Sequence, residues 1–161
     1  MPPAGTTVSI SHSGGLAVAL AAPASRCRAL GCDLELRGLP LAAAHLVLDP
    51  GEESWVRAAG GAAAAEARLF ALFSAKEAAF KAYGALLPAG RAPTTLLGIS
   101  ATPVPGGFLA RHRRGRREGP GQVLRIGVLP AGPGVFAWTA GVTERIAETI
   151  RPTSSAGSGW K

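Results

Sequence analysis

Lys76-Glu77-Ala78-Ala79-Phe80-Lys81 sets two lysines around one glutamate within six residues. The whole chain has three lysines against fourteen arginines, so lysine at both positions runs against its general usage. An ammonium acts on phosphate as a compact point charge, whereas a guanidinium is a planar fork. Upstream, Asp33 and Glu35 add two carboxylates, 44 and 42 positions before Glu77. Two apart on a strand, Asp33 and Glu35 project from one face. Four apart on a helix, Glu77 and Lys81 do the same. If that helix packs on that strand, three carboxylates and at least one lysine converge. Hard oxygen donors in that number suit Mg²⁺, which keeps waters and binds substrate phosphates. A lysine beside it neutralises phosphate charge that the metal leaves uncompensated.

Each piece alone has a plainer reading. Glu77 and Lys81 can be an exposed helix ion pair worth about 0.3–0.5 kcal/mol. Asp33 and Glu35 can line a solvated strand face or begin a turn. The flanks weigh against that. Leu30, Leu34 and Leu36 make the strand half-buried, and buried unpaired acids are costly. A metal would relieve that cost.

The elements that must position these residues are legible in the patterning. Residues 7–11 alternate as a short strand, Ser13-Gly14-Gly15 signals a turn, and 16–21 supplies a hairpin partner. Residues 28–36 read as a strand that Arg37-Gly38-Leu39-Pro40 ends. Residues 42–48 suit a short helix. Asp49-Pro50-Gly51-Glu52-Glu53 starts another, with Asp49 as N-cap, Pro50 at the first position and two acids in the first turn. Residues 62–87 form the strongest element, where Leu69, Phe73, Phe80, Tyr83 and Leu87 recur at helical spacing as one apolar face. Strands follow at 97–102, 107–112, 123–129 and 135–142. Residues 151–161, rich in Ser, Thr and Gly, read as a disordered tail. The order predicts an α+β domain, an antiparallel sheet packed on one long helix.

Composition narrows the class. A chain of 161 residues implies one domain with one core. Net charge of +7 and a pI near 10.7 favour an acidic partner: nucleic acid, an anionic surface, a polyphosphate ligand or an acidic protein. Cys27 and Cys32 are too few for a disulfide framework and lack zinc-site spacing, so they read as free thiols in a reducing compartment. No apolar run reaches the roughly 18 residues of a membrane span, and the N-terminus lacks the pattern of a signal peptide. A cytoplasmic protein with no membrane partner is the expectation.

Three segments then carry a family resemblance. Gly31-Cys32-Asp33-Leu34-Glu35 resembles the Gly-(Ile/Val)-Asp-x-Glu motif of 4′-phosphopantetheinyl transferases. Phe73-Ser74-Ala75-Lys76-Glu77-Ala78-Ala79-Phe80-Lys81 is similar to their (Phe/Trp)-Ser-x-Lys-Glu-(Ala/Ser)-x-x-Lys motif. Ile10-Ser11-His12-Ser13 resembles the Ser-His-Ser segment that precedes both in the surfactin-type and siderophore-type enzymes. The three occur in the family's order, closely from about Val8 to Tyr83 and loosely to Val142. Cys32 departs from the motif, standing where a branched aliphatic is usual.

The resemblance implies transfer of the phosphopantetheine arm of coenzyme A to a serine of an acyl or peptidyl carrier protein, releasing adenosine 3′,5′-bisphosphate. Asp33, Glu35 and Glu77 would hold Mg²⁺. Glu77 would take the serine proton, directly or through a water. Lys81 would contact the phosphate under attack, and Lys76 the pyrophosphate or adjacent acids. Ser11 and His12 would contact nucleotide phosphates; His12 also reads as an ordinary surface residue. It implies the family's fold as one lobe plus part of a second, with residues 1–22 a remnant of the first lobe and 23–150 the catalytic domain. A homo-oligomer would substitute for the missing lobe. A non-catalytic remnant of the family is the alternative. The Arg111–Arg117 run reads as a solvated hairpin tip, a docking surface for an acidic carrier or, least, a nucleic-acid contact, since no aromatic residues interleave it.

Overall fold

The computed structural model describes residues 4–113 and 122–142. Arg114, Arg116 and Arg117 of the basic run and the tail at 151–161 lie outside them. Strands β1 (Thr6–Ser13) and β2 (Leu16–Pro23) form an antiparallel hairpin. Gly14 and Gly15 turn it with φ of +58° and +82°, the paired left-handed geometry that a two-residue hairpin loop needs. A five-stranded antiparallel sheet follows, in the order β3-β7-β6-β5-β4. It comprises β3 (Cys27–Glu35), β4 (Ile99–Val104), β5 (Gly107–His112), β6 (Val123–Ala131) and β7 (Gly134–Val142). Between β3 and β4 the chain forms α1 (Pro50–Arg57) and the 25-residue α2 (Ala62–Leu86). The α+β class and the antiparallel sheet on one long helix are as the patterning predicted.

Helix α1 starts as its sequence dictates. The Asp49 carboxylate accepts from Glu52 N, the Glu52 carboxylate accepts from Asp49 N, and Pro50 occupies the first turn. Two otherwise orphaned amides are thereby satisfied. The segment expected as a helix at 42–48 is a 3₁₀ helix at Leu41–Leu46 with no side-chain cap. The nine residues between Pro40 and Pro50 are too few to propagate an uncapped α-helix.

Helix α2 buries Leu69 and Tyr83 of the predicted face, but its buried side is rotated from that face toward the alanines. Phe73 and Phe80 are only half-buried. The fully enclosed positions include Leu69, Leu72, Ala75, Ala78, Ala79, Ala82 and Tyr83. The reason is distance. A Cβ on Gly31 would sit 1.9 Å from the Ala78 carbonyl oxygen and 3.1 Å from the Ala82 methyl. β3 and α2 therefore meet backbone against backbone, and only small residues fit between them. At its C-terminal end the Tyr83 hydroxyl lies 3.0 Å from Ala110 O and 2.7 Å from Gln122 O, fastening α2 to the far strands.

Gly31→Ala is expected to lower stability by at least about 1–3 kcal/mol, the usual cost of overpacking a tight contact. Gly38→Ala, with open space around its Cβ and no positive φ, should stay within about 0.5 kcal/mol of the wild type. Urea unfolding midpoints of the two variants measure the difference.

Candidate active site

The β3–α2 contact decides which side chains share space. Gly31, Asp33 and Glu35 lie on one face of β3, opposite Thr139, Ala137 and Val135 of β7. That is the face on which Gly31 touches α2. Asp33 is 6% exposed and is the centre of the site. Its Oδ1 accepts from Ser11 Oγ at 2.9 Å and from Lys81 Nζ at 3.1 Å. Its Oδ2 accepts from Ser74 Oγ at 2.9 Å. Lys81 also donates to Cys32 O at 2.9 Å, while its half-buried side chain keeps a route to solvent. Three donors offset the cost of burying this carboxylate.

Glu35 ends β3. Its Oε1 accepts from Ser13 Oγ at 2.7 Å and from Arg37 N at 3.0 Å. Glu77, half-buried on α2, makes no hydrogen bond or ion pair among the described residues. Burial pushes its carboxyl above the usual range, and the charge of Asp33 raises it further; Lys81 opposes this, and Glu35 adds to it. Asp33 is thus bonded to both Ser11 and Lys81, and Glu77 lies near enough to Asp33, Lys81 and Glu35 for their charges to act on it. Ser11 serves the carboxylate rather than presenting itself to solvent, since it is buried against Asp33.

Two predicted residues sit elsewhere. His12 is exposed on β1, opposite Ala17 of β2, on the face turned away from the one that carries Ser11. Lys76 is fully buried and pairs with Glu52 of α1 at 2.5 Å. It faces α1, so of the two expected roles, toward a pyrophosphate or toward adjacent acids, its placement shows an acid partner, Glu52. Desolvation lowers the Lys76 pKa, against the opposing pull of Glu52. The other Glu52 oxygen accepts from Ala101 N of β4 at 2.7 Å, so one carboxylate joins α1, α2 and β4. Ser13, Ser74, Glu52 and Gly31 were not singled out individually as site-building residues. Alternating hydroxyls along β1 and the Asp49–Glu52 capping box were the available signals.

Among the described residues no three His, Cys, Asp or Glu side chains are gathered as a preformed metal centre. The donor chemistry still fits a hard divalent cation. Glu77 is unpartnered beside two other carboxylates, Glu35 keeps one oxygen without a hydrogen bond, and every candidate donor is oxygen.

A strand–helix contact in an α+β domain thus carries the buried Asp33 carboxylate, compensated by Lys81, with Glu77 close by. The family comparison makes this specific. The model of the 4′-phosphopantetheinyl transferase superfamily matches residues 29–116, more than half of the chain, and spans both acidic segments. The chain belongs to that superfamily, whose members are transferases that use coenzyme A and act on carrier proteins. No curated protein matches it. No helix among the described residues is long and apolar enough to cross a membrane.

The two glutamates should respond oppositely to mutation. Glu52→Ala leaves Lys76 buried without its anion and is expected to cost about 3–5 kcal/mol, read as a drop in the urea midpoint. Glu77→Gln removes an unpaired acid instead. Because the folded state holds the Glu77 proton more tightly than the unfolded state, Glu77 favours folding below the ordinary carboxylate range. That contribution is lost as pH rises through the raised folded value. Metal-free Glu77→Gln should therefore melt above the wild type near neutral pH, with the gap closing as pH falls below the carboxylate range. Melting curves at several pH values test the sign.

Proposed function

We propose that this protein transfers the 4′-phosphopantetheine arm of coenzyme A to a serine of an acyl or peptidyl carrier protein, with Mg²⁺ as the cofactor. The observation that carries the reading is the convergence of Asp33, Glu35, Glu77 and Lys81 at the Gly31–Ala78 contact. The superfamily match supports it. In the transfer, the serine oxygen bonds to the phosphorus that carries pantetheine. The bond from that phosphorus to the bridging pyrophosphate oxygen breaks, and adenosine 3′,5′-bisphosphate leaves. Mg²⁺, held by Asp33, Glu35 and Glu77, would neutralise pyrophosphate charge when bound.

The chain's own residues account for the remaining steps. Glu77 receives the serine proton, directly or through a water. A carboxylate with a raised pKa is a better base at neutral pH than an ordinary one, although cation binding opposes that rise. Lys81 supplies positive charge at the phosphate under attack, from a position fixed by Cys32 O and Asp33. Its two anchors hold the ammonium in place before substrate arrives, so little reorganisation is needed during reaction. Ser11 and Ser74 keep the Asp33 carboxylate oriented. A surface hollow of about 450 Å³, lined by Leu39, Pro40, Ala67 and Phe70 together with the charged Glu66, offers a mixed polar and apolar surface for the pantetheine arm; Phe70 lies two turns before Glu77 on α2.

The decisive experiment incubates the protein with coenzyme A, Mg²⁺ and several apo-carriers, and reads carrier mass. One phosphopantetheine should be gained per carrier, and chelation should abolish the gain. Asp33→Ala and Glu77→Gln should lose transfer by at least about 100-fold, the lower range for removing a positioned acid–base group, while circular dichroism keeps the folded spectrum. Full transfer by both variants would refute the site. No transfer to any carrier by the folded wild type would favour the non-catalytic reading.

A further inference from the structure

Thr7, Ser9, Ser11 and Ser13 place a hydroxyl at every second position of β1, hence on one face. Each reaches β3, although the backbone ladder of β1 is with β2 and not with β3. Thr7 Oγ1 donates to Cys27 O at 2.9 Å, and Ser9 Oγ accepts from Cys32 N at 3.0 Å. The last two reach acids: Ser11 donates to Asp33 at 2.9 Å and Ser13 to Glu35 at 2.7 Å. The hairpin is therefore bound to the sheet edge through a row of hydroxyls whose final two members grip the carboxylates of the site.

Ser13 has the larger individual role. Its Oγ accepts from Leu36 N at 3.0 Å, which orients its own proton toward Glu35. Arg37 N donates to the same Glu35 oxygen. Glu35 Oε1 is thus fixed by two donors, while Oε2 receives none among the described residues. Asp33 would keep Ser74 and Lys81 without Ser11. Glu35 would keep only one local amide without Ser13. A long, half-exposed glutamate at a strand end otherwise loses rotamer freedom when it binds anything, and a fixed rotamer removes that cost beforehand.

We propose that Ser13 is a positioning residue that pre-sets Glu35, one oxygen anchored and the other free for a divalent cation. This rests on the metal-site reading given above. The probe is Mn²⁺ alone, titrated into the purified full chain without coenzyme A and followed by the electron paramagnetic resonance signal of free Mn²⁺. Ser13→Ala should weaken Mn²⁺ binding about tenfold, the lower end of what loss of a ligand's outer partner costs. Ser13→Thr, which retains the hydroxyl, should restore it. A merely structural Ser13 predicts the opposite pattern: Ser13→Ala melts lower without metal yet binds Mn²⁺ like the wild type, and that result overturns the proposal. Glu77→Gln separates the two levels. If it loses Mn²⁺ while Ser13→Ala keeps it, the positioning role alone falls. If it too binds like the wild type, or the wild type binds none, the metal site falls and the positioning role with it.

Discussion

The Ala78 carbonyl oxygen occupies the space where a side chain on residue 31 would begin. That one approach of α2 to β3 sets the rest of the structure. With Gly31 against Ala78, the next residue on the same strand face is Asp33, and the acidic residue before Ala78 is Glu77. Lys81, one turn further along α2, then reaches both Cys32 O and Asp33. A bulkier contact would lift the helix off the strand and separate the carboxylates from the ammonium. The glycine in the Gly-x-Asp-x-Glu segment therefore has a packing reason, and the chemistry depends on that packing.

Close approach creates an electrostatic problem that the chain solves unevenly. Asp33 receives three donors, and Glu35 receives two on one oxygen. Glu77 receives none among the described residues, and burial with Asp33 beside it raises its pKa. A fold selected for stability alone would pair or remove such an acid, since an unpaired half-buried carboxylate favours unfolding at neutral pH. Unequal satisfaction fits the cation site proposed above. The groups that stay put are bonded internally, and the group left wanting is the one the ligand completes.

The architecture was legible because its elements announce themselves locally. The Gly14-Gly15 turn, the Asp49-Pro50 helix start and the strand alternations all gave the right element types, with boundaries moving by a few residues. The site's acids were legible from spacing and family motif together. What escaped was set by tertiary distance. Phe73 and Phe80 looked like the core face of α2 because they are large; the real contact is so close that alanines fill it. The row of β1 hydroxyls escaped as a group, because nothing local says that a second strand's carboxylates lie within 3 Å. His12 was drawn to the site by its motif neighbours, but strand alternation turns it outward when Ser11 turns in.

The two lysines show how far composition can be pushed. Both depart from a chain that, Lys161 apart, uses arginine where these positions use lysine, yet their reasons differ. Residues 76 and 81 lie five apart, about 140° around the helix, so they cannot share a face. Lys76 points to α1, where a fully enclosed ammonium meets a Glu52 carboxylate already committed to two backbone amides. A guanidinium there would bring five donors into a space that satisfies few, at the desolvation cost of each left unpaired. Lysine is favoured because it is compact. Lys81 points to Asp33 and keeps access to solvent, its ammonium anchored by Cys32 O and Asp33. There a compact charge faces outward instead of being enclosed. The same residue type thus fixes the helix at one position and compensates a carboxylate at the other. Glu77, between them in sequence, is answered in charge by Lys81.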